Sequence, residues 1–422
     1  MAEDEALAPN GSRTAGSALD RRALAPLVVL AFAQDAIYAL VFLSFMNHYL
    51  LGVLKASAGL PAYTLALYGA ARLVTHPLAG KLIDATSARL VLRLSIVAQL
   101  LGVGLLLAIH SLAAFLIASV LLAAGSASIW PLIYETLART QPSEAHSKAT
   151  GTLAIVGYIA TGFGFLCGVL IGRLVHRSAP FLLTGALVAL AGLTQGSRTF
   201  NASPALAPLP GAHMDSRPAG PTPPVPPRER GPILFFGLIM FLDFAAISSL
   251  AGVYGPFTRI SLGINLARTP LVLLPAGAAA AVSLYLMSRY SRPQRRLREM
   301  SVLYLLAGAG ALGLAVSPTP WAALFVAIAL GAGLGGIGPI VAATVVDLSG
   351  TSNRGAIVGS LLAIEGLGSV AGPLTVGLVT DLLNPRAGMA AIGAIFVTLV
   401  VVTASGVRRE WRAAPRQPLR TA

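Results

Sequence analysis

Stretches of about twenty apolar residues recur along the whole chain and constrain its fold more than any other feature. The chain has 422 residues, of which 55% are hydrophobic and 11% are charged. A helix needs about 20 apolar residues to cross the roughly 30 Å hydrocarbon core of a bilayer. Twelve such runs lie between Ala25 and Val407, and none alternates in polarity as a barrel strand would. The sequence therefore predicts an all-α polytopic membrane protein with twelve transmembrane helices.

A gapless internal repeat divides these helices into two sets of six. A shift of 208 positions brings Asp35 onto Asp243 and Pro131 onto Pro339. Matches of glycine or leucine carry little weight in so apolar a chain, but an acid on an acid within an apolar run is uncommon. A long fixed period indicates two copies of one unit, here two pseudo-symmetric six-helix bundles. Duplicated halves in a membrane protein typically hold a substrate pathway between them.

Changes in composition along the chain give the domain boundaries. We predict an N-terminal tail at 1–24, a six-helix bundle at 25–197, a proline-rich linker at 198–231, a second bundle at 232–407 and a basic tail at 408–422. The linker cannot bury apolar area, so we expect it to be an extended tether between the bundles.

The net charge of +14 reports membrane topology and not a nucleic-acid partner. With the N-terminus placed inside, the predicted cytosolic segments hold 23 of the 30 Lys and Arg residues. This is the positive-inside pattern, which predicts that both termini are cytosolic in a protein of the cell membrane. We expect a monomer whose partners are the lipid bilayer, a small-molecule substrate and protons.

The helix count and one loop motif resemble the major facilitator superfamily of secondary transporters. Between the second and third runs, the stretch GKLIDATSAR resembles the family's Gly-x-Leu-x-Asp-Arg-x-Gly-Arg-Lys loop, and Gly80, Leu82, Asp84 and Arg89 match in place. The resemblance implies a cytosolic gate that latches the two bundles, weakened here by the other positions that depart from the motif. We expect Gly80 to permit close approach of backbones and Asp84 to lie near the N-terminus of the third helix.

A second motif, in the eleventh run, resembles the Gly-Pro helix motif of the family's antiporters. It consists of Gly368, Gly372, Pro373 and Gly377, although the family carries it in helix five. Small residues at these spacings allow tight helix contact in lipid whatever the function. We interpret them as packing residues that hint only weakly at antiport.

Four charged residues lie deep within the apolar runs, away from their ends: Asp35, Arg72, Asp243 and Glu365. A charge near the bilayer centre costs at least ~2.5–3.5 kcal/mol, so each must face a partner or a wet cavity. In the family that the chain resembles, helices one, seven and eleven line the central cavity. The resemblance therefore implies that these residues face a substrate and proton pathway.

Two polar neighbours extend this candidate site. Gln34 and Tyr38 flank Asp35 and, being four residues apart, are predicted to share a face. An alternative is that Asp35 and Arg72 neutralise each other as a structural lock. Asp243 has no basic partner in its own half, which favours proton exchange, since a carboxyl group removed from water favours its protonated form. Glu365 is similar, with a protonated acid bonded to a nearby carbonyl as the alternative.

We predict a secondary active transporter that works by alternating access and couples export of a lipophilic or cationic small molecule to protons. The embedded charges sum to −2, which favours cations over anions in the cavity. One alternative is a carrier of a carboxylate or other metabolite that uses Arg72, and another is a non-transporting receptor or scaffold. The sequence contains no metal-ligand cluster, phosphate loop or nucleophile–base pair, so we predict neither an enzyme nor a cofactor.

Overall fold

The computed structural model describes residues 20–141, 146–174, 178–200, 227–265, 269–348 and 354–413. These residues form twelve long helices, and no strand occurs among them. Most of the predicted linker and the outer parts of both predicted tails lie outside the described residues. The helices are α1 (Arg21–Tyr38), α2 (Leu60–Ala85), α3 (Ala88–Ala108), α4 (Leu112–Thr140), α5 (His146–Leu174), α6 (Ala179–Leu193), α7 (Pro227–Pro256), α8 (Thr269–Tyr290), α9 (Arg296–Val316), α10 (Pro320–Leu348), α11 (Arg354–Leu382) and α12 (Pro385–Ala413).

Most of the helices have the length and apolar composition of transmembrane helices. Ten of them are long and apolar enough to cross a bilayer, by length and composition alone, and α2 and α8 are the other two. The run of α2 is interrupted by Arg72 and His76. The prediction of an all-helical, multi-pass membrane protein with two six-helix bundles is confirmed.

The internal repeat persists in the helix boundaries. After a shift of 208 residues, α9, α10 and α11 begin and end at the positions of α3, α4 and α5. An irregularity is repeated as well: α1 continues into π-helical turns that end with His48–Val53, and α7 continues into the π-helical Phe257–Ser261. Because π-helical turns are rare, their recurrence at matched positions indicates that both halves keep one structural plan.

Each half is packed around its own core of buried aromatic and aliphatic side chains. In the N-terminal half, the ring of Tyr49 lies 5.3 Å from that of Phe115 and 5.6 Å from that of Phe181, between centroids. In the C-terminal half, Tyr304 stacks on Phe396 with 6.3 Å between centroids. The two cores are largely separate, so most buried apolar contacts lie within one half.

Two helices run past the boundaries predicted from composition. Helix α7 begins at Pro227, inside the predicted linker, and α12 continues to Ala413, beyond the predicted end at 407. Composition marks where the apolar stretch ends. A helix satisfies its own backbone hydrogen bonds, so it can continue into the polar interface beyond that point.

Hydrogen bonds join the two halves at one end of the molecule. We call the end at which α1 begins the terminal side and the opposite end the far side. On the far side, Asp381 in the last turn of α11 accepts hydrogen bonds from the Gly59 N–H at 2.6 Å and from Ser57 Oγ at 3.2 Å. A side chain of the C-terminal half thus caps the first turn of α2.

A second contact on the far side joins α1 to α7. Asn47 Nδ2 donates to the Ala251 carbonyl at 3.3 Å, and the Arg259 guanidinium donates to the Leu51 carbonyl. Arg259 and Leu51 are repeat mates, separated by 208 positions. Small residues complete the fit, since a side chain on Gly252 would overlap Ala62 of α2. These contacts seal the far side in this structure.

Candidate functional site

Arg72 lies where the two halves meet, midway along α2. Its guanidinium carbon is 5.8 Å from the centroid of the Tyr68 ring, one turn earlier on the same helix. The charge interacts electrostatically with Glu365 of α11 and with Asp35 of α1. Within the described residues, Arg72 forms no direct ion pair with either carboxyl group, and its Nε has no hydrogen-bond partner. The direct contact that a structural lock would require is therefore not made.

The Asp35 carboxyl group occupies space left by a glycine. It lies against Gly157 of α5, where an added methyl group would collide with it. The repeat mate of Gly157 is Glu365, and the repeat mate of Asp35 is Asp243. The same pair of positions therefore holds an acid and a glycine in one half and two acids in the other.

Asp243 is the most deeply buried of the three acids, with 2% of its surface exposed. The Tyr304 hydroxyl of α9 faces it without completing a hydrogen bond, since neither Asp243 Oδ1 nor Tyr304 Oη has a partner among the described side chains. Glu365 of α11 is the nearby acid that interacts with Asp243 electrostatically. An acid with this little hydrogen bonding and with a second acid nearby is poorly stabilised as an anion.

Two tyrosines that the sequence did not single out join this group. Tyr158 of α5 interacts electrostatically with Asp243 and Asp35, and its hydroxyl touches Gly338 of α10 across the interface of the halves. Tyr134 of α4 interacts with Glu365, Asp35 and Arg72. Both are partly exposed, at 42% and 45%. An isolated tyrosine in an apolar run gives no periodic signal, so only the tertiary structure shows that these two face the charges.

Tyr38 belongs to the same group, whereas Gln34 does not. The ring of Tyr38 lies 5.5 Å from that of Tyr68, between centroids, on the side of Arg72. Gln34 is buried inside the N-terminal bundle, and its Nε2 donates to Gln99 Oε1 of α3 at 3.4 Å. The expectation that Gln34 and Tyr38 share the pathway does not match this placement. An amide buried in the interior of a bundle needs a partner, and Gln99 of α3 supplies it.

One residue of the gate motif differs from its expected role. Space is open around Gly80, so close backbone approach is not the reason for a glycine there. Asp84 lies in the last turn of α2, and its side chain is outside the described part. Ser87 caps α3, accepting from the Leu90 N–H at 3.2 Å, because a serine immediately before a helix reaches the free amides of its first turn. Arg89 follows in that turn.

The glycine motif of α11 lies at helix contacts. Side chains on Gly368 and Gly372 would overlap the backbone of α7, and one on Gly377 would overlap Tyr63 of α2. Pro373 is buried within the helix. The glycines thus let α11 lie against both α7 of its own half and α2 of the other half.

The assembled centre contains three carboxyl groups and one guanidinium, surrounded by tyrosine hydroxyls. The four charged residues Asp35, Arg72, Asp243 and Glu365 come from α1, α2, α7 and α11, so both halves contribute. No group of three His, Cys, Asp or Glu side chains suited to a metal ion occurs among the residues described. Such a centre can bind a charged group or exchange protons while the halves change their relative position.

Comparison with known proteins identifies the family to which this fold belongs. The family model described as Major Facilitator Superfamily matches residues 14–373. A search of curated protein sequences finds no match. Among solved structures, the human organic anion transporter MFSD10 (TETRAN) aligns with a TM-score of 0.66 at 14% identity, covering 91% of this chain and 99% of that one.

Two further solved structures share the fold. The nucleoside transporter NupG, as its D323A mutant, aligns with a TM-score of 0.64 at 15% identity and covers 92% of this chain and 99% of that one. A POT family transporter in complex with a thioalcohol-conjugated peptide aligns with a TM-score of 0.68 at 13% identity, covering 92% and 96%. The family match spans most of the chain, and the fold agrees with it. The chain is a multi-pass transporter that belongs to the Major Facilitator Superfamily.

Proposed function

We propose that the protein exports a lipophilic or cationic small molecule in exchange for protons. The observation that carries this proposal is the excess of acids at the centre, where Asp35 and Glu365 share the one guanidinium of Arg72 and, among the described residues, Asp243 has only Glu365 as a charged neighbour. A cation or protons can balance this charge, whereas an anion would add to it. Protonation of an acid and binding of a cation then compete for one site, which is the coupling that exchange requires.

Two features support the proposed direction of transport. The positive-inside pattern supports a cytosolic location for both termini. The far side, sealed by Asp381 and Asn47, is then the outer side. In this arrangement the partly exposed Tyr134 and Tyr158 belong to a route from the cytosol to the acids. A substrate would enter from the cytosol and leave when the outer contacts open.

The proposal is tested with purified protein in liposomes and ethidium as the lipophilic cation. We expect an inside-acid pH gradient to drive ethidium uptake. Asp243→Asn should lower the gradient-driven rate at least ten-fold and flatten its pH dependence, because an amide cannot exchange a proton. Glu299→Gln is the matched control, since Glu299 lies outside the centre and accepts from Ser291 Oγ. Transport by Asp243→Asn with an unchanged pH profile would contradict the proposal.

A carboxylate carrier is the second candidate, and one observation favours it. Arg72 has no direct ion pair within the described part of the chain, so its guanidinium can bind a substrate carboxylate by donating hydrogen bonds to it. Two solved proteins with a similar fold also support this candidate: an organic anion transporter, and a POT family transporter solved with 5-aminolevulinic acid. Benzoate uptake that is abolished by Arg72→Ala and retained by Asp35→Asn would support this function. If the protein transported no solute of a broad library, a receptor or scaffold would be supported instead.

A further inference from the structure

A cavity of about 210 Å³ lies between the two halves, apart from the charged centre. It is on the far-side half of the molecule, partly open, and lined by the π-helical continuation of α1 and by α5 from one half and by α7 and α8 from the other. Its walls are mainly apolar, including Leu43, Phe165 and Ile247. It is larger than the roughly 150 Å³ apolar cavity that accepts benzene in an engineered protein. The space is therefore sufficient for a small aromatic or aliphatic molecule.

Three residues that line this cavity each have a covered polar atom with no hydrogen-bond partner in the described structure: Ser44 Oγ, Asn47 Oδ1 and Tyr254 Oη. Asn47 and Tyr254 are each only 6% exposed. A buried polar atom left unpaired costs about 1–3 kcal/mol, so three around one cavity require an explanation. A ligand that brings a donor to Asn47 and an acceptor to Tyr254 would satisfy two of them, once a side-chain rotation turns these atoms toward the cavity.

The position of these atoms is fixed by the packing of the halves. Asn47 is held by its bond to the Ala251 carbonyl, and Gly255 leaves room for its carboxamide. Leu250 and Tyr254, one turn apart on α7, present their side chains to the same cavity. Among the described residues, His48 is the one ionisable side chain other than Tyr254 that lines the space, and no acid, lysine or arginine does, which favours a neutral ligand.

We propose that this cavity binds a small neutral amphiphile, with an apolar body and one hydroxyl or amide group, and that such a ligand holds the far side closed. The ligand holds the far side closed because the walls of the cavity come from both halves. A ligand that contacts both halves binds best to the arrangement in which they are close, and it stabilises that arrangement by its difference in affinity. The site is separate from Asp243 and does not depend on which substrate the transporter carries.

The test uses 4-fluorophenol as the probe and full-length protein in lipid nanodiscs, with ¹⁹F NMR to measure binding. Fluorobenzene, which lacks the hydroxyl, is the matched ligand, and empty nanodiscs correct for partition into lipid. We expect saturable binding of 4-fluorophenol, weaker by about five-fold or more in Tyr254→Phe and absent in Leu250→Trp, whose larger side chain fills the cavity. Tyr285→Phe, an exposed position on α8, should bind as the unmodified protein does.

Two results would overturn the proposal. One is the absence of saturable binding above that of empty nanodiscs, which would mean that the cavity holds water only. The other is equal binding of both probes that neither Tyr254→Phe nor Leu250→Trp alters. Tyr254→Phe keeps the ring and the fold, so the test does not depend on the more disruptive tryptophan. Because binding is measured without transport, failure here leaves the ethidium assay unaffected, and the reverse also holds.

Discussion

Asp381, on the last turn of α11, caps the first turn of α2 from the other half of the molecule through its contact with the Gly59 N–H at 2.6 Å. The cap position of α2 has no side-chain hydrogen bond from its own half. An anion at a helix N-terminus is favoured by the free amides and by the helix dipole. This carboxylate therefore stabilises the closed far side, and the bond must break whenever that side opens.

Removal of this cap should loosen the far side. A charged cap contributes about 1–2 kcal/mol, so Asp381→Ala should speed amide hydrogen exchange in peptides covering 55–63 by roughly 5- to 30-fold. Asp381→Asn, which keeps an acceptor without the charge, should give an intermediate rate. Asn384→Ala is the matched control, since Asn384 Oδ1 caps its own helix through the Ala387 N–H at 2.9 Å. Unchanged exchange in Asp381→Ala would show that the seal depends on other contacts.

The space between Asp35 and Gly157 predicts an effect on transport. In Gly157→Ala the new methyl group must displace the Asp35 carboxyl group, since the two would overlap. We expect a several-fold loss of gradient-driven ethidium uptake with a folded, stable protein. Gly151→Ala, on the same helix where space is open, should transport normally. Equal rates in the two variants would mean that the position of the Asp35 carboxyl group does not matter.

Glycines in contact and glycines in open space should respond oppositely to alanine. At Gly372 a methyl group would overlap the backbone of Ala245, and a backbone cannot rotate away. Gly372→Ala should lower the free energy of unfolding by about 1–3 kcal/mol. At Gly277, where nothing is near, alanine should be neutral or stabilise the helix by up to about 1 kcal/mol. Thermal unfolding in one detergent measures both, and a stable Gly372→Ala would contradict the contact.

Arg386 donates hydrogen bonds to three carbonyls in two backbone segments on the far side of the C-terminal half. Its Nη1 donates to the carbonyls of Ala315 at 3.1 Å and Ser317 at 2.9 Å, and its Nη2 donates to that of Ser261 at 3.2 Å. Each bond from a charged donor contributes about 1.5–3 kcal/mol. Arg386→Ala should therefore clearly lower the midpoint temperature of thermal unfolding in detergent.

Lysine at the same position tests the geometry of this contact. Arg386→Lys keeps the charge but not the planar fork, so its midpoint should lie between those of the alanine variant and the unmodified protein. Arg289→Ala removes an exposed arginine that donates to Tyr285 Oη at 3.3 Å and serves as the control. A midpoint for Arg386→Lys equal to that of the unmodified protein would show that charge alone suffices.

Hydrophobic length and the repeat were enough to predict the fold. The 208-residue shift defined from Asp35 and Asp243 also matches the boundaries of whole helices. Helix formation in lipid is dictated locally, because every backbone group must be satisfied within its own segment. This is why apolar runs predict helices well even where their ends are misplaced.

The candidate site was less predictable because it depends on which face of each helix meets another. Four-residue spacing indicated a shared face for Gln34 and Tyr38, but the available partner for the amide was Gln99 on α3. Tyr158 was missed because its neighbours, Asp35 and Asp243, are distant in sequence and come from both halves. Spacing within one helix carries no information about these contacts.

The hydrogen bond from Arg259 to Leu51 has a geometric consequence for how the duplicated halves diverged. Points related by a two-fold rotation can touch only beside the rotation axis, so this contact marks where the pseudo-symmetry axis leaves the far side. At such a place each residue meets its own copy. Two arginines would bring like charges together there, and two leucines would leave the Leu51 carbonyl without the guanidinium. Arginine in one copy and leucine in the other is a solution that a perfectly symmetric ancestor could not have had.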